Sequence, residues 1–370
     1  MTRSPQAEVL PLLAISYGTI VAADASYPDP MDVAVSARYL GFAPWALDTS
    51  PLYSEWAEGV ANDDELTERI ARLGERRGQP NLVFAAARWA GCGLDPFPVW
   101  RENVLDAWDR VAEITAERRT QTNEVGRCAT LLPLLSRVDG PVALLETGTA
   151  AGLCLFPDRY SYAYSSPAGE HPRPLAEPAS PEDESSAPVL HCRLDSVEAL
   201  PERRPDVVWR AGIDLAPIDV RDPVAVAWLE TLIWPGSAHA ERVARLRAAV
   251  GVVRTDPPRI VEGDILDHLA DVAAESPRDA TLVVFHSAVL MYLDADERRR
   301  FSDLAAGLAA HLGRRVIWIS NESAGVLPLV DRQMPPGVDS TGRFVQSVDG
   351  EPVALAGQHG ASYEVMPLRP

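Results

Sequence analysis

Glu146 ends a short apolar run, and small residues follow it at fixed spacing: Glu146-Thr147-Gly148-Thr149-Ala150-Ala151-Gly152-Leu153. An acid at a strand end followed by a turn of small residues can seat a ligand against the main chain. Glycine reaches positive φ and lets a ligand approach the backbone, and a helix opening after such a turn offers free N–H groups. The spacing separates ligand classes. A dinucleotide fingerprint, G-x-G-x-x-G, counted from Gly148 needs glycine where the chain has Ala150 and Leu153. A nicotinamide enzyme is therefore disfavoured. The alternative is a tight strand-to-helix turn that binds nothing.

Other polar residues stand near this loop in the chain. In Thr120-Gln121-Thr122-Asn123-Glu124-Val125-Gly126-Arg127, Thr122 can cap the next helix. Gln121, Asn123, Glu124 and Arg127 exceed what capping needs and read as partial lining of a pocket. Asp158-Arg159-Tyr160-Ser161-Tyr162-Ala163-Tyr164 alternates like a strand with an aromatic face. Tyr160 there is either core or the wall of a substrate groove. The chain has 7 histidines that stand apart, with no H-x-x-x-H pair, so no metal site is expected. His286 is the candidate general base, since an ordinary imidazole pKa of about 6.5 suits proton transfer. Its alternative is a buried histidine bonded to a backbone carbonyl.

These residues need elements to carry them. Continuous apolar runs at 142–145, 207–209, 259–261, 281–285 and 316–319 read as strands buried on both faces. Helical stretches at 224–233, 240–250, 265–274 and 294–312 separate them, which implies βαβ crossovers and a parallel sheet. Such a sheet binds ligands at the carboxyl ends of its strands. Residues 1–140 read as a mainly helical region: Ser54 as an N-cap, Asp63-Asp64-Glu65 opening a helix, and helices over 81–90, 98–118 and 123–138. Residues 141–370 form the α/β region. A Pro- and Ser-rich insertion covers 165–189, and the C-terminus reads as antiparallel strands around Asp349-Gly350, a hairpin pair.

The bulk composition narrows the function classes. A chain of 370 residues exceeds one ordinary hydrophobic core, and 46% hydrophobic with 24% charged residues is globular. A net charge of −19, with the arginines scattered among acids, disfavours nucleic-acid binding. Cys92, Cys128, Cys154 and Cys192 lack C-x-x-C spacing and suit a reducing cytosol. The apolar run at 9–23 faintly resembles a signal peptide but is interrupted by Pro11, Ser16 and Gly18. No stretch reaches the ~20 apolar residues of a membrane span. A cytoplasmic protein is expected, with a homo-oligomer left open.

The loop E-x-G-x-A-x-G resembles motif I of class I S-adenosylmethionine-dependent methyltransferases, with Ala150 at the middle glycine. That resemblance implies a Rossmann-like, methyltransferase-type sheet, mostly parallel and ending in an antiparallel hairpin. It implies S-adenosylmethionine as cofactor, held by Glu146, Gly148, Ala150, Gly152, Asp214 (with Asp219 second) at the end of strand two, and Asp264 with Ile265 after strand three. Phe285-His286-Ser287-Ala288-Val289-Leu290-Met291-Tyr292-Leu293 is similar to the segment after strand four of small-molecule methyltransferases, placing His286 and Tyr292 at the reaction.

Further phrases resemble an uncharacterised bacterial family, domain of unknown function 2332. They are Ser50-Pro51-Leu52-Tyr53, Gln79-Pro80-Asn81-Leu82, Gln121-Thr122-Asn123-Glu124-Val125, the loop from Leu145 to Gly152, Asp158-Arg159-Tyr160, Gly212-Ile213-Asp214-Leu215-Ala216-Pro217, Trp228-Leu229-Glu230 and Trp234-Pro235. The similarity runs from about residue 35 to the end and supplies no activity. The expectation is a methyltransferase-like protein acting on a small molecule under a helical lid. Its rival is a non-catalytic binding or regulatory protein on the same scaffold.

Overall fold

The computed structural model describes residues 35–121, 123–173 and 187–367. The run at 9–23, Thr122 and most of the insertion lie outside the described residues.

The N-terminal part is helical: α1 (Val35–Ala46), α2 (Pro51–Ala61), α3 (Asp64–Leu73), α4 (Pro80–Trp89), α5 (Phe97–Asp106), α6 (Trp108–Glu117) and α7 (Cys128–Leu135). Local chemistry sets their ends. Ser50, not Ser54, caps α2: its side chain accepts from the Tyr53 N–H, and Pro51 takes the first position, where no N–H is needed. Ser54 is buried within the helix. Asp63 caps α3 through the Leu66 N–H. The stretch 98–118 forms two helices rather than one, because the chain leaves helical geometry at Ala107 (φ −97°, ψ 12°). Aromatic rings fill this region. Trp56 stacks on Trp100 with centroids 4.5 Å apart, and Phe84 packs edge-on against both.

The α/β part holds an 11-stranded sheet: β1 (Pro141–Thr147), β2 (Ser161–Ser166), β3 (Gly169–Arg173), β4 (Val189–Leu194), β5 (Asp206–Asp214), β6 (Arg259–Glu262), β7 (Thr281–Ser287), β8 (Val316–Ser323), β9 (Arg343–Val348), β10 (Glu351–Gly357) and β11 (Ser362–Val365). Their order is β3-β2-β4-β11-β10-β9-β8-β7-β1-β5-β6. Strands β6, β5, β1, β7 and β8 are parallel, and β9 joins β8 antiparallel. The expected terminal hairpin is present as β9 and β10, and β11 extends it to pair with β4. Helices α8 (Pro223–Leu232), α9 (His239–Thr255), α10 (Ile265–Ala274), α11 (Ala295–Leu312) and short α12 (Pro328–Asp331) are the other α-helices of the described residues.

Alternation along β1 divides the core. Val142 and Leu144 face one layer with α7 and α9, while Ala143 and Leu145 face the other with α10 and α11. The order places β5 and β6 on one side of β1 and β7 and β8 on the other. Such a reversal, here between the carboxyl ends of β1 and β7, is where open α/β sheets commonly form a ligand crevice. The helical part is tied to this frame. Arg88 donates to the carbonyls of Thr231 and Ile233 (2.7 and 2.8 Å), and the Trp228 indole donates to that of Arg119 (3.0 Å). Among the described residues no helix is long and apolar enough to cross a membrane.

Candidate site at the carboxyl ends of the parallel strands

The loop after β1 takes the strained turn its small residues permit. Gly148 and Gly152 each have φ 72°, and Ala150 sits at φ 49°. Left-handed geometry is costly for alanine and cheap for glycine, which accounts for glycine in the middle of the motif this loop resembles. Ala288, just beyond β7, is likewise at φ 57°. Two strained alanines thus flank the crevice, the kind of place where backbone strain collects at functional sites.

Contrary to expectation, no α-helix opens after the loop. The chain makes a three-residue 3-10 turn, Leu153–Leu155, and proceeds to β2. Five of the loop's N–H groups are used within the protein. Gly148 and Thr149 donate to the Ile213 carbonyl (2.8 and 3.3 Å), Ala150 to Asp214 (2.8 Å), Gly152 to the Thr149 carbonyl (2.8 Å) and Leu153 to the Asn123 side chain (2.9 Å). These internal bonds leave the loop without a row of free N–H groups for a phosphate. Gly148 is pressed by Val289, since a Cβ on it would lie 2.3 Å from a Val289 methyl.

Three acids stand at the ends of neighbouring strands. Glu146 is buried and accepts the Thr149 hydroxyl at 2.7 Å. Burial pushes its carboxyl well above the usual range, with Cys154 and Asp214 adding to the effect and Thr149 and Arg127 opposing it. Asp214, partly exposed at the end of β5, accepts from the Ala150 and Ala216 N–H groups (2.8 and 2.9 Å) and from the Gln121 carboxamide (3.2 Å). Asp264 caps α10 by accepting from the Leu266 N–H (2.8 Å), and Ile265 is buried behind it. Asp219 is exposed and pairs with Arg221.

The polar segment before α7 lies over these ends. Gln121 reaches Asp214, and Asn123 holds both the Thr149 carbonyl (3.1 Å) and the Leu153 N–H. Arg127 donates to the carbonyls of Gln358 and Ser287 (3.0 and 2.9 Å), with its guanidinium over the Phe344 ring. Glu124 is buried between Arg242 and Arg245 (2.9 and 3.0 Å). Burial opposes its ionisation, but the two guanidinium groups outweigh it and hold the carboxyl at about 2. Desolvation, then Arg242, holds the neighbouring His359 down at about 4. A cavity of about 30 Å³ lies between this segment and α8 and α9, lined by Gln121, Asn123, Arg242, Leu229 and Ile233 among others.

His286 requires correction. It is 1% exposed and both ring nitrogens are engaged: Nδ1 meets Glu322 Oε1 at 2.7 Å, and Nε2 lies 3.0 Å from the Trp318 indole nitrogen. An indole N–H can only donate, so Nε2 is the acceptor and the proton sits on Nδ1, directed at Glu322. No nitrogen is left for a substrate. Tyr292 has a half-exposed ring, while its hydroxyl meets Thr120 near Arg127 and Glu322. Tyr160 is also corrected: it is fully buried, its hydroxyl donates to the Leu153 carbonyl (2.6 Å), and it packs in the core rather than along a groove.

The structure adds residues that spacing did not single out: Val289 over Gly148, Arg242 on Glu124, and Trp318 on His286. Glu322 carried a signal, standing in Asn321-Glu322-Ser323 just past an apolar run. No curated protein and no solved structure matches this chain. The model of a family described as an uncharacterized protein conserved in bacteria (DUF2332) matches residues 93–364, from α5 to β11, while the phrases at 50–53 and 79–82 fall outside the matched span. The chain therefore belongs to this bacterial family.

Proposed function

We propose that the chain is an S-adenosylmethionine-dependent methyltransferase-like protein acting on a small molecule, with the cofactor at the carboxyl ends of β1, β5 and β6. The observation that carries this reading is the succession of acids at those ends, Glu146, Asp214 and Asp264, beside the strand reversal. Asp214 fits such a cofactor. Its Oδ1 accepts from a side-chain carboxamide, and a ribose hydroxyl could donate to it in the same way. The Gly148 region fits only after movement, because Val289 fills the space beside Gly148. The cofactor would supply an electrophilic methyl group. The chain's own residues then have simple tasks: Asp214 accepts hydroxyl hydrogens, Asp264 fixes the start of α10, Glu146 holds the loop through Thr149, and Gln121 and Asn123 cover the crevice.

A second reading is a non-catalytic binding protein, favoured by the internally bonded loop N–H groups and by Val289 on Gly148. Calorimetric titration with S-adenosylhomocysteine, with NADH as control, separates the two. One-site binding that strengthens severalfold in Gln121→Ala and weakens in Asp214→Asn is expected for the methyltransferase reading. No heat from wild type or from Gln121→Ala would leave the second reading.

A further inference from the structure

With His286 closed on both sides, the free atom in this network belongs to Glu322. Its Oε1 receives His286 Nδ1 (2.7 Å) and the N–H groups of Val289 and Leu290 (2.9 and 3.1 Å). Its Oε2 has no partner, although the residue is 2% exposed. An unsatisfied buried carboxylate oxygen is costly, and native structures retain such groups for a reason. On the same face and at the same end of the sheet, the Thr147 hydroxyl is also buried without a partner. The Tyr292 hydroxyl is close enough to Glu322 to feel its charge, and Tyr292 is half-exposed.

We propose that Glu322 Oε2 is a binding site for an O–H or N–H group of a small-molecule ligand, with His286 and Trp318 as positioning residues that hold the carboxylate for it. The three donors on Oε1 fix the orientation of the carboxylate. Trp318 fixes the His286 tautomer, so the imidazole presents a hydrogen rather than a lone pair. The unused lone pairs of the group therefore lie on Oε2, which can take a hydrogen bond from the ligand. That the ligand is the methyl acceptor rests on the function proposed above, but its capture by Glu322 does not.

Tyr292 puts an aromatic ring near this carboxylate, so phenol and aniline are suitable probes and toluene is the isostere lacking a donor. The full chain, with its histidines labelled with ¹⁵N, is titrated with each while the His286 signals are followed. Saturable binding of phenol or aniline about tenfold tighter than toluene is expected from one hydrogen bond to a charged acceptor, with the His286 Nδ1–H signal moving. The tighter of the two identifies the donor as O–H or N–H. Glu322→Gln puts an NH2 where Oε2 stood and should abolish the preference over toluene. If that variant fails to fold, Tyr292→Ala, at a half-exposed position, should weaken phenol and toluene alike and leave the circular dichroism unchanged. No probe binding, equal affinity for toluene, or a silent His286 overturns the proposal. S-adenosylhomocysteine titration of Glu322→Gln should match wild type, which keeps failure here distinct from failure of the cofactor assignment.

Discussion

Glu124→Gln removes the carboxylate that sits between two nearly buried arginines. The side chains of Glu124, Arg242 and Arg245 are 6%, 9% and 12% exposed, so solvent screens them little. The pair of guanidinium groups holds the carboxyl at about 2 against an ordinary 4.5. At about 1.4 kcal/mol per tenfold change, that difference is worth about 3 kcal/mol at neutral pH. It lies at the lower end of the ~3–5 kcal/mol expected for breaking a buried pair. The sign follows from the lowered pKa: the folded state favours the ionised form, so the contribution is complete above about 4.5 and is lost as pH falls toward about 2. Urea unfolding of wild type and variant should differ by about 3 kcal/mol at pH 7, and the gap should narrow steadily below about pH 4.5. A gap under ~1 kcal/mol at pH 7, within the range of an exposed pair, or one unchanged down to about pH 3, would refute the assignment of Glu124 as the counter-charge of this cluster.

Two further predictions concern the loop after β1. Gly148→Ala should destabilise by at least ~2 kcal/mol, from positive φ and from overlap with Val289. Val289→Ala should cost less in that background than alone, and strict additivity in a double-mutant cycle would show that the two residues do not press on each other. Ala150→Gly should raise stability by up to ~1 kcal/mol, because relief of the left-handed alanine exceeds the entropy glycine adds to the unfolded chain. A lowered melting temperature would mean that the alanine is not strained there.

Elements with a local cause were legible in the chain. Continuous apolar runs marked β1, β5, β6, β7 and β8, since strands covered on both faces need no polar alternation. Asp63 and Asp349-Gly350 announced a helix start and a turn through their own side-chain and backbone chemistry. The positions of Glu146, Asp214 and Asp264 at strand ends followed from the same runs.

What tertiary structure alone decided lies between residues distant in sequence. Apolar periodicity over 98–118 did not reveal the break at Ala107. The pairing of β4 with β11, some 170 residues apart, extends the sheet to eleven strands through backbone bonds that side-chain patterns do not encode. His286 is the sharpest case: its residue type and its position at the end of β7 suggested a free base. Whether an imidazole is free depends on its neighbours in space, and here Trp318, 32 residues away, and Glu322, 36 away, occupy both nitrogens. Sequence determines which residues can do chemistry and on which strand end they stand. Packing decides which of their atoms remain unbonded, because hydrogen bonds in a dry interior are claimed by whichever partners the fold brings within about 3 Å.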